Sequence, residues 1–269
     1  MRLAPALATL VLLAVPAAAA DEVPFVVSPD SVTLAMLQAA KVTNEDYVLD
    51  LGSGDGRIVI LAAKRFGARG LGIEINPQLV EKSRENARKA GVASRVSFRE
   101  QDLFATDLRP ASVITLYLLP EVNMQLRPKL LQLRPGTRIV SHDFDMGDWE
   151  ADKVLTVDAP DKPIGLEKRS KVYHWVVPAH VEGLWCGSGK AKGRSLAISQ
   201  RHQLVRVDVP DAAATKAYEG RITGSTIRTR TGGLQLVFDG QKLKATHASG
   251  ATLPLHGGTF TRAKGQSCG

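Results

Sequence analysis

The sequence predicts an α/β domain, a mostly parallel sheet covered by helices and ended by an antiparallel terminal strand, followed by a small antiparallel β-barrel-like domain. Three observations carry this. Apolar strand-like runs alternate with helical stretches up to residue 178. A glycine-rich turn, DLGSGDGR at 50–57, links the first such run to a helix. After Pro178 the chain changes to short alternating segments punctuated by Gly, Asp and Ser.

Taken in order, Ser28-Pro29-Asp30 signals a helix start, and Val32, Met36, Leu37 and Ala40 follow at helical spacing. YVLDLG (47–52) reads as a buried strand, and RIVILAAKR after Gly56 as a helix. RGLGIEI (69–75) is a strand. Asn76 caps the next helix with Pro77 at its first position, and Gly91 ends it. Strands follow at 95–102, 111–118 and 136–144, with a helix over EVNMQLRPKLLQLR between the last two. KVLTVD (153–158) and KVYHWVVP (171–178) have little room for a helix between them, so one of the two runs antiparallel. Alternation of apolar strands with helices gives a parallel sheet buried on both faces. From about residue 181, SLAISQ, HQLVRVDV, YEGRITGSTIRTRT, LQLVFDGQKLKATH and GTFTRA read as a small antiparallel barrel or sandwich, with a possible turn at DAAATKAYEG.

Residues 1–20 differ from the rest. Arg2, an apolar stretch to Val15 and the run Ala17–Ala20 form a secretory signal pattern, with cleavage expected after Ala20. The alternative is an uncleaved membrane anchor, for which the apolar core is short. The expected division is thus 1–20 signal, 21–179 α/β domain and 180–269 β domain, in an exported, periplasmic protein without an integral span after cleavage. The two cysteines, Cys186 and Cys268, flank the β domain, and export predicts that they form one disulfide closing it. No His and Cys spacing suits a metal, so none is expected. The formal charge is +8, yet Lys and Arg are scattered and no aromatics interleave them, which argues for a solvated basic surface over a nucleic-acid partner.

The chemistry lies in DLGSGDGR. Gly52, Gly54 and Gly56 permit positive φ and a close backbone approach, and the helix that follows offers N–H groups to a ligand. The spacing G-x-G-x-G differs from the dinucleotide fingerprint, and Asp55 would repel a pyrophosphate. Asp50 suits an ammonium group, which argues for S-adenosylmethionine. Glu74, eighteen residues past Gly56, is placed to accept ribose hydroxyls, and Asp102 with Leu103 to hold an adenine. Tyr117, Glu121 and Asn123 are candidates for acceptor contacts, and His142 with Asp143, at the same rim, for orienting or deprotonating an acceptor amine. The plainer reading of that pair is polar rim residues. Arg57 is expected to pair with Asp55 or cap its helix.

DLGSGDGR, GIEINP, QDLF and YLLPEVN together resemble the class I S-adenosylmethionine-dependent methyltransferases. VLDLGSGDGRIVI with YLLPEVNMQLRPKL resembles more narrowly the lysine methyltransferases of the adenine nucleotide translocase and ATP synthase c-subunit and their bacterial relatives, with a glycine motif like that of Dot1-type enzymes. The resemblance covers about residues 28–178. It implies a Rossmann-like sheet, methyl transfer to a protein lysine, Asp50, Gly52, Gly54 and Gly56 around the methionine moiety, Glu74 with Asn76 at the ribose, Asp102 and Leu103 at the adenine, and Tyr117 to Pro120 facing the methyl group. An export signal on a site for a cytosolic metabolite leaves a second reading: an exported, non-catalytic binding protein that keeps the fold.

Overall fold

The structure, a computed structural model, describes residues 26–163, 167–210, 214–231 and 233–268. The expected signal segment lies outside them. Helix α1 (Asp30–Ala39) leads into β1 (Tyr47–Leu51), α2 (Arg57–Phe66), β2 (Arg69–Glu74), α3 (Pro77–Lys89), β3 (Val96–Glu100), β4 (Val113–Leu116), α4 (Pro120–Leu130) and β5 (Arg138–His142). A closing pair, β6 (Lys153–Asp158) and β7 (Arg169–Val176), completes a seven-stranded sheet in the order β3-β2-β1-β4-β5-β7-β6. Strands β1 to β5 pair in parallel; β7 runs antiparallel to both β5 and β6, so β7 is the reversed strand.

Strand alternation explains the two cores. Leu49, Leu51, Ile114, Leu116 and Ile139 point to the face covered by α4, Trp149 and Trp175. Val48, Val113, Val140 and Val172 point to the other, covered by α1 and α2. Two glycines in β2 make room for their neighbours. A Cβ at Gly70 would lie 2.2 Å from Val59 of α2, and one at Gly72 2.6 Å from Phe98 of β3.

The chain then forms a second, closed sheet. Its strands are β8 (Gly183–Ser188), β9 (Ser195–Arg201), β10 (Leu204–Val209), β11 (Lys216–Thr223), β12 (Thr226–Thr229), β13 (Gln235–Phe238), β14 (Lys242–His247) and β15 (Thr259–Arg262). All pairings are antiparallel and β15 returns to β8, so a barrel is formed rather than a sandwich. The turn expected at 211–220 is in part strand: residues from Lys216 belong to β11. The interior is filled by side chains, among them Trp185, Val207, Ile222, Leu236 and Phe260. Cys186 and Cys268 form a disulfide. The β9–β10 and β11–β12 turns dock on the first domain. Arg201 pairs with Asp148 at 3.0 Å, Gln203 donates to the Glu150 carbonyl at 2.6 Å, and Ala179 N–H donates to the Gly224 carbonyl at 2.7 Å. No helix among the described residues is long and apolar enough to cross a membrane.

Candidate active site

The C-terminal ends of β1, β2, β3 and β4 open into one cavity of about 1040 Å³. This is where ligands sit in open α/β sheets. The glycine turn forms its floor. Gly52, Gly54 and Gly56 have φ of 74°, 53° and 80°, values that favour glycine. A Cβ at Gly52 would lie 2.7 Å from Leu118 Cδ2. Gly56 serves a different purpose from the one the sequence suggests. It does not line the cavity, and a Cβ there would lie 2.7 Å from Phe98 and 2.8 Å from Ser83. Its bareness lets α2 start against β3 and α3. Gly56→Val should therefore cost about 3 kcal/mol or more through overpacking and backbone strain, read as a lower urea midpoint; an unchanged midpoint would refute this account.

The turn is not an anion cradle. Gly52 and Ser53 N–H both donate to the Ile73 carbonyl at 2.9 Å, Gly56 N–H to Ser53 at 2.8 Å, Gly54 N–H to Glu74 Oε2 at 2.8 Å and Arg57 N–H to Asp55 at 3.3 Å. The turn's own N–H groups are thus mostly satisfied internally. A pyrophosphate would meet an unfavourable field beside three carboxylates.

Those carboxylates are Asp50, Asp55 and Glu74. Asp50 is 2 % exposed and accepts from Thr115 Oγ1 at 2.6 Å. Burial, helped by the nearby Glu74 and Asp55, pushes its carboxyl up to about 7. Such a group lacks a cationic partner. Glu74 accepts three backbone N–H groups, those of Gly54, Ile75 and Asn76, at 2.8–3.0 Å. That leaves about one of its four lone-pair positions for a ligand hydroxyl, so Glu74 is a fixed latch between turn and strand rather than a free bidentate acceptor. Asn76 Oδ1 caps α3 by accepting from Gln78 and Leu79. Asp102 accepts from Phe104 N–H through one oxygen, and Leu103 and Phe104 line the wall beside it.

At the β4 end, Tyr117 and Leu118 face the cavity and Val122 flanks them. Pro120 and Glu121 start α4 outside the lining, and Glu121 is solvent-exposed. Asn123 is fully buried and donates to Ser141, Phe144 and Asp145 at 3.3–3.4 Å, so it straps α4 to the loop after β5 instead of meeting an acceptor. His142 is also fully buried. Its Nδ1 shares a hydrogen bond with Ser28 Oγ at 2.8 Å and its Nε2 one with Ser170 Oγ at 2.9 Å. Its ring stacks on Tyr117 at 3.9 Å. His142 is thus a positioning residue behind Tyr117, without reach to an acceptor. Asp143 bonds Lys162 at 2.7 Å and the Lys171 N–H at 2.8 Å.

Three residues escaped the sequence reading. Val26, Val27 and Ser28 line the cavity. Ser28, whose place before Pro29 resembles a helix cap, makes no cap bond; its hydroxyl goes to His142 and its carbonyl accepts from Arg57 at 3.0 Å. Arg57 pairs with Asp55 as well. The only signal was Ser28's distance in sequence from everything it touches, and that is no signal.

Burial holds His142 at about 4, below its ordinary value. A native state that refuses the proton loses stability as pH falls from about 6.5, where the unfolded chain protonates, to about 4, where the native state joins it. The loss should reach about 2–3 kcal/mol. His142→Phe should flatten that part of the pH–stability curve. A curve that keeps its slope in this variant would remove His142 as the cause.

The cavity size, the cation-seeking Asp50 and the polar-plus-apolar wall at Asp102 and Leu103 fit S-adenosylmethionine. Asp50 would hold its ammonium group, Glu74 the ribose, and Asp102 with Leu103 the adenine. When bound, the cofactor supplies an electrophilic methyl group on a sulfonium. Among the described residues no group of His, Cys, Asp and Glu is arranged to hold a metal.

A parallel sheet reversed only at β7, with an acid-framed glycine turn at its ligand edge, defines a class I S-adenosylmethionine-dependent methyltransferase. Residues 50–153 match the ANTKMT methyltransferase domain. The chain is 44% identical over 138 residues to a protein-lysine N-methyltransferase of Saccharolobus islandicus, covering 51% of this chain and 86% of that protein. It belongs to this methyltransferase family. It is 41% identical to the adenine nucleotide translocase lysine N-methyltransferase of Mus musculus, but spans only 45% of that enzyme. The solved structure of an RNA methyltransferase from Salinibacter ruber, in complex with S-adenosylhomocysteine, is 52% identical, covers 58% of this chain and 96% of that one, and superposes with a TM-score of 0.53.

Proposed function

We propose that this methyltransferase acts on a protein lysine outside the cytoplasm. Tyr117 carries the reading of the acceptor: a half-buried ring at the cavity edge, fixed from behind by His142, with Leu118, Phe104 and Val122 beside it. An aromatic face attracts an ammonium group, and an apolar surround lowers the pKa of the amine it desolvates. The buried, proton-refusing His142 is no base, so the acceptor's nucleophilicity comes from this desolvation and from alignment. The relatives named as lysine methyltransferases support the same acceptor. The RNA methyltransferase at 52% identity favours a second reading, a nucleic-acid acceptor on the same site. Export rests on the residue 1–20 pattern and on the disulfide, which persists in oxidising compartments.

The test is twofold. Calorimetry of the chain from Asp21 with S-adenosylhomocysteine should show binding that Gly54→Arg abolishes and Glu74→Ala weakens by about tenfold or more, through a loosened turn. Labelling of cell protein and RNA with a methyl-labelled cofactor should place the label on lysine. Label on RNA alone would replace the lysine reading with the second one, and absence of cofactor binding by the folded chain would favour an exported binding protein. Cell fractionation settles the compartment.

A further inference from the structure

The two domains divide the charge unequally. Residues 180–269 hold thirteen Lys and Arg against five Asp and Glu, while residues 1–179 hold twenty-two of each. The formal +8 of the chain is therefore the barrel's. Within the barrel the excess is also placed. Consecutive antiparallel strands put their connections alternately at the two ends. The β9–β10 and β11–β12 turns form the end docked on the first domain, where Arg201 and Arg221 are engaged by Asp148 and Asp152. The opposite end carries the β8–β9, β12–β13 and β14–β15 connections, whose described residues include 189–194, 230–231, 233–234 and 248–258. Lys190, Lys192, Arg194 and Arg230 are exposed there, and none has an ion-pair partner among the described residues. In sequence those three connections hold no Asp or Glu, and the segment between β10 and β11 holds Asp211.

Between the cations stands an apolar tip. The 3₁₀ turn Gly250–Leu255 exposes Leu253, at 60%, and Pro254. This turn packs on the one that carries Lys190. A Cβ at Gly257 would lie 3.6 Å from Lys190 Cδ, and one at Gly258 2.7 Å from Ala191 Cβ. Trp185, Tyr218 and Phe260 are buried, and Phe238, half-buried edge-on to Trp185, ends β13 at the other pole, so among the described residues no aromatic accompanies the charge as a stacking platform for bases.

We propose that the free end of the barrel docks the enzyme on an anionic lipid bilayer, with Lys190, Lys192, Arg194 and Arg230 on the headgroups and Leu253 at the acyl boundary. Unpaired cations around an exposed apolar tip are what an anionic interface recognises, and the docked end keeps the opposite pole for the first domain. The attraction is screened by salt.

The chain from Asp21, which keeps every described residue, would be sedimented with vesicles of phosphatidylglycerol and phosphatidylcholine and with vesicles of phosphatidylcholine alone. Binding is expected only to the former, and to disappear at about 1 M salt. Lys190→Gln with Lys192→Gln and Arg194→Gln should weaken it by about tenfold or more, and Leu253→Gln by a smaller factor. Removing the same charge elsewhere, with Lys64→Gln, Arg65→Gln and Lys82→Gln, should leave most of the binding. S-adenosylhomocysteine affinity, unchanged throughout, shows that the variants are folded. No preference for the anionic vesicles, or equal loss in both triple variants, overturns the proposal. So does capture of double-stranded RNA by this end with no vesicle binding.

Discussion

Asp50→Asn should make the ligand-free protein more stable at pH 8 while removing most of its cofactor affinity. The native carboxyl sits near 7, against an ordinary value of 3.8. A folded-state value raised in this way gives stability that is full below 3.8 and lost as pH rises through 7. Above that, the buried anion has no cation, and only Thr115 bonds it. Asparagine keeps the Thr115 bond and carries no charge, so it should recover about 2–4 kcal/mol of stability at pH 8. The same change deprives the ligand's ammonium of its counter-charge, a loss of about a hundredfold in affinity. In the unsubstituted protein, S-adenosylhomocysteine binding should weaken as pH falls below 7, by up to about tenfold per unit. Thermal melts and calorimetry between pH 6 and 8 read both effects. A variant less stable at pH 8, or one that binds normally, would mean that Asp50 is not the ammonium site.

Replacing Cys186 and Cys268 together with serine should destabilise the barrel by about 4–5 kcal/mol in the chain-entropy model, because the two lie 82 residues apart. The loss should be local. Hydrogen exchange should speed up along β8 and β15, while the seven-stranded sheet and S-adenosylhomocysteine affinity stay as they were. A single cooperative transition for both domains in the serine variant, or an unaltered midpoint, would show that the disulfide is dispensable to the barrel.

Much of this was readable in advance because it is local. The apolar runs at 47–52 and 69–75 are strands since their residues are buried on both faces, and DLGSGDGR is legible as a turn since three glycines in five positions suit neither a strand nor a helix. Asn76-Pro77 marked α3 to the residue. What failed was long-range. His142 and Asn123 look like site residues because they are polar and near strand ends, yet their partners, Ser28 and Ser170 for one and Ser141 with the 144–145 carbonyls for the other, lie as much as 114 positions away in sequence. Gly56 was assigned to the ligand because spacing cannot tell a glycine that faces a cavity from one that faces Phe98. A barrel was distinguished from a sandwich only by β15 returning to β8, a pairing that no periodicity encodes.

That return has a consequence for assembly. One of the two partners of β8 is the barrel's own last strand, so until residues 259–262 arrive the barrel is an open ribbon with two raw edges, on β8 and on β14. Open edges invite pairing with other chains. Ending the chain before Thr259 should therefore give aggregates or edge-swapped oligomers rather than a slightly weaker monomer.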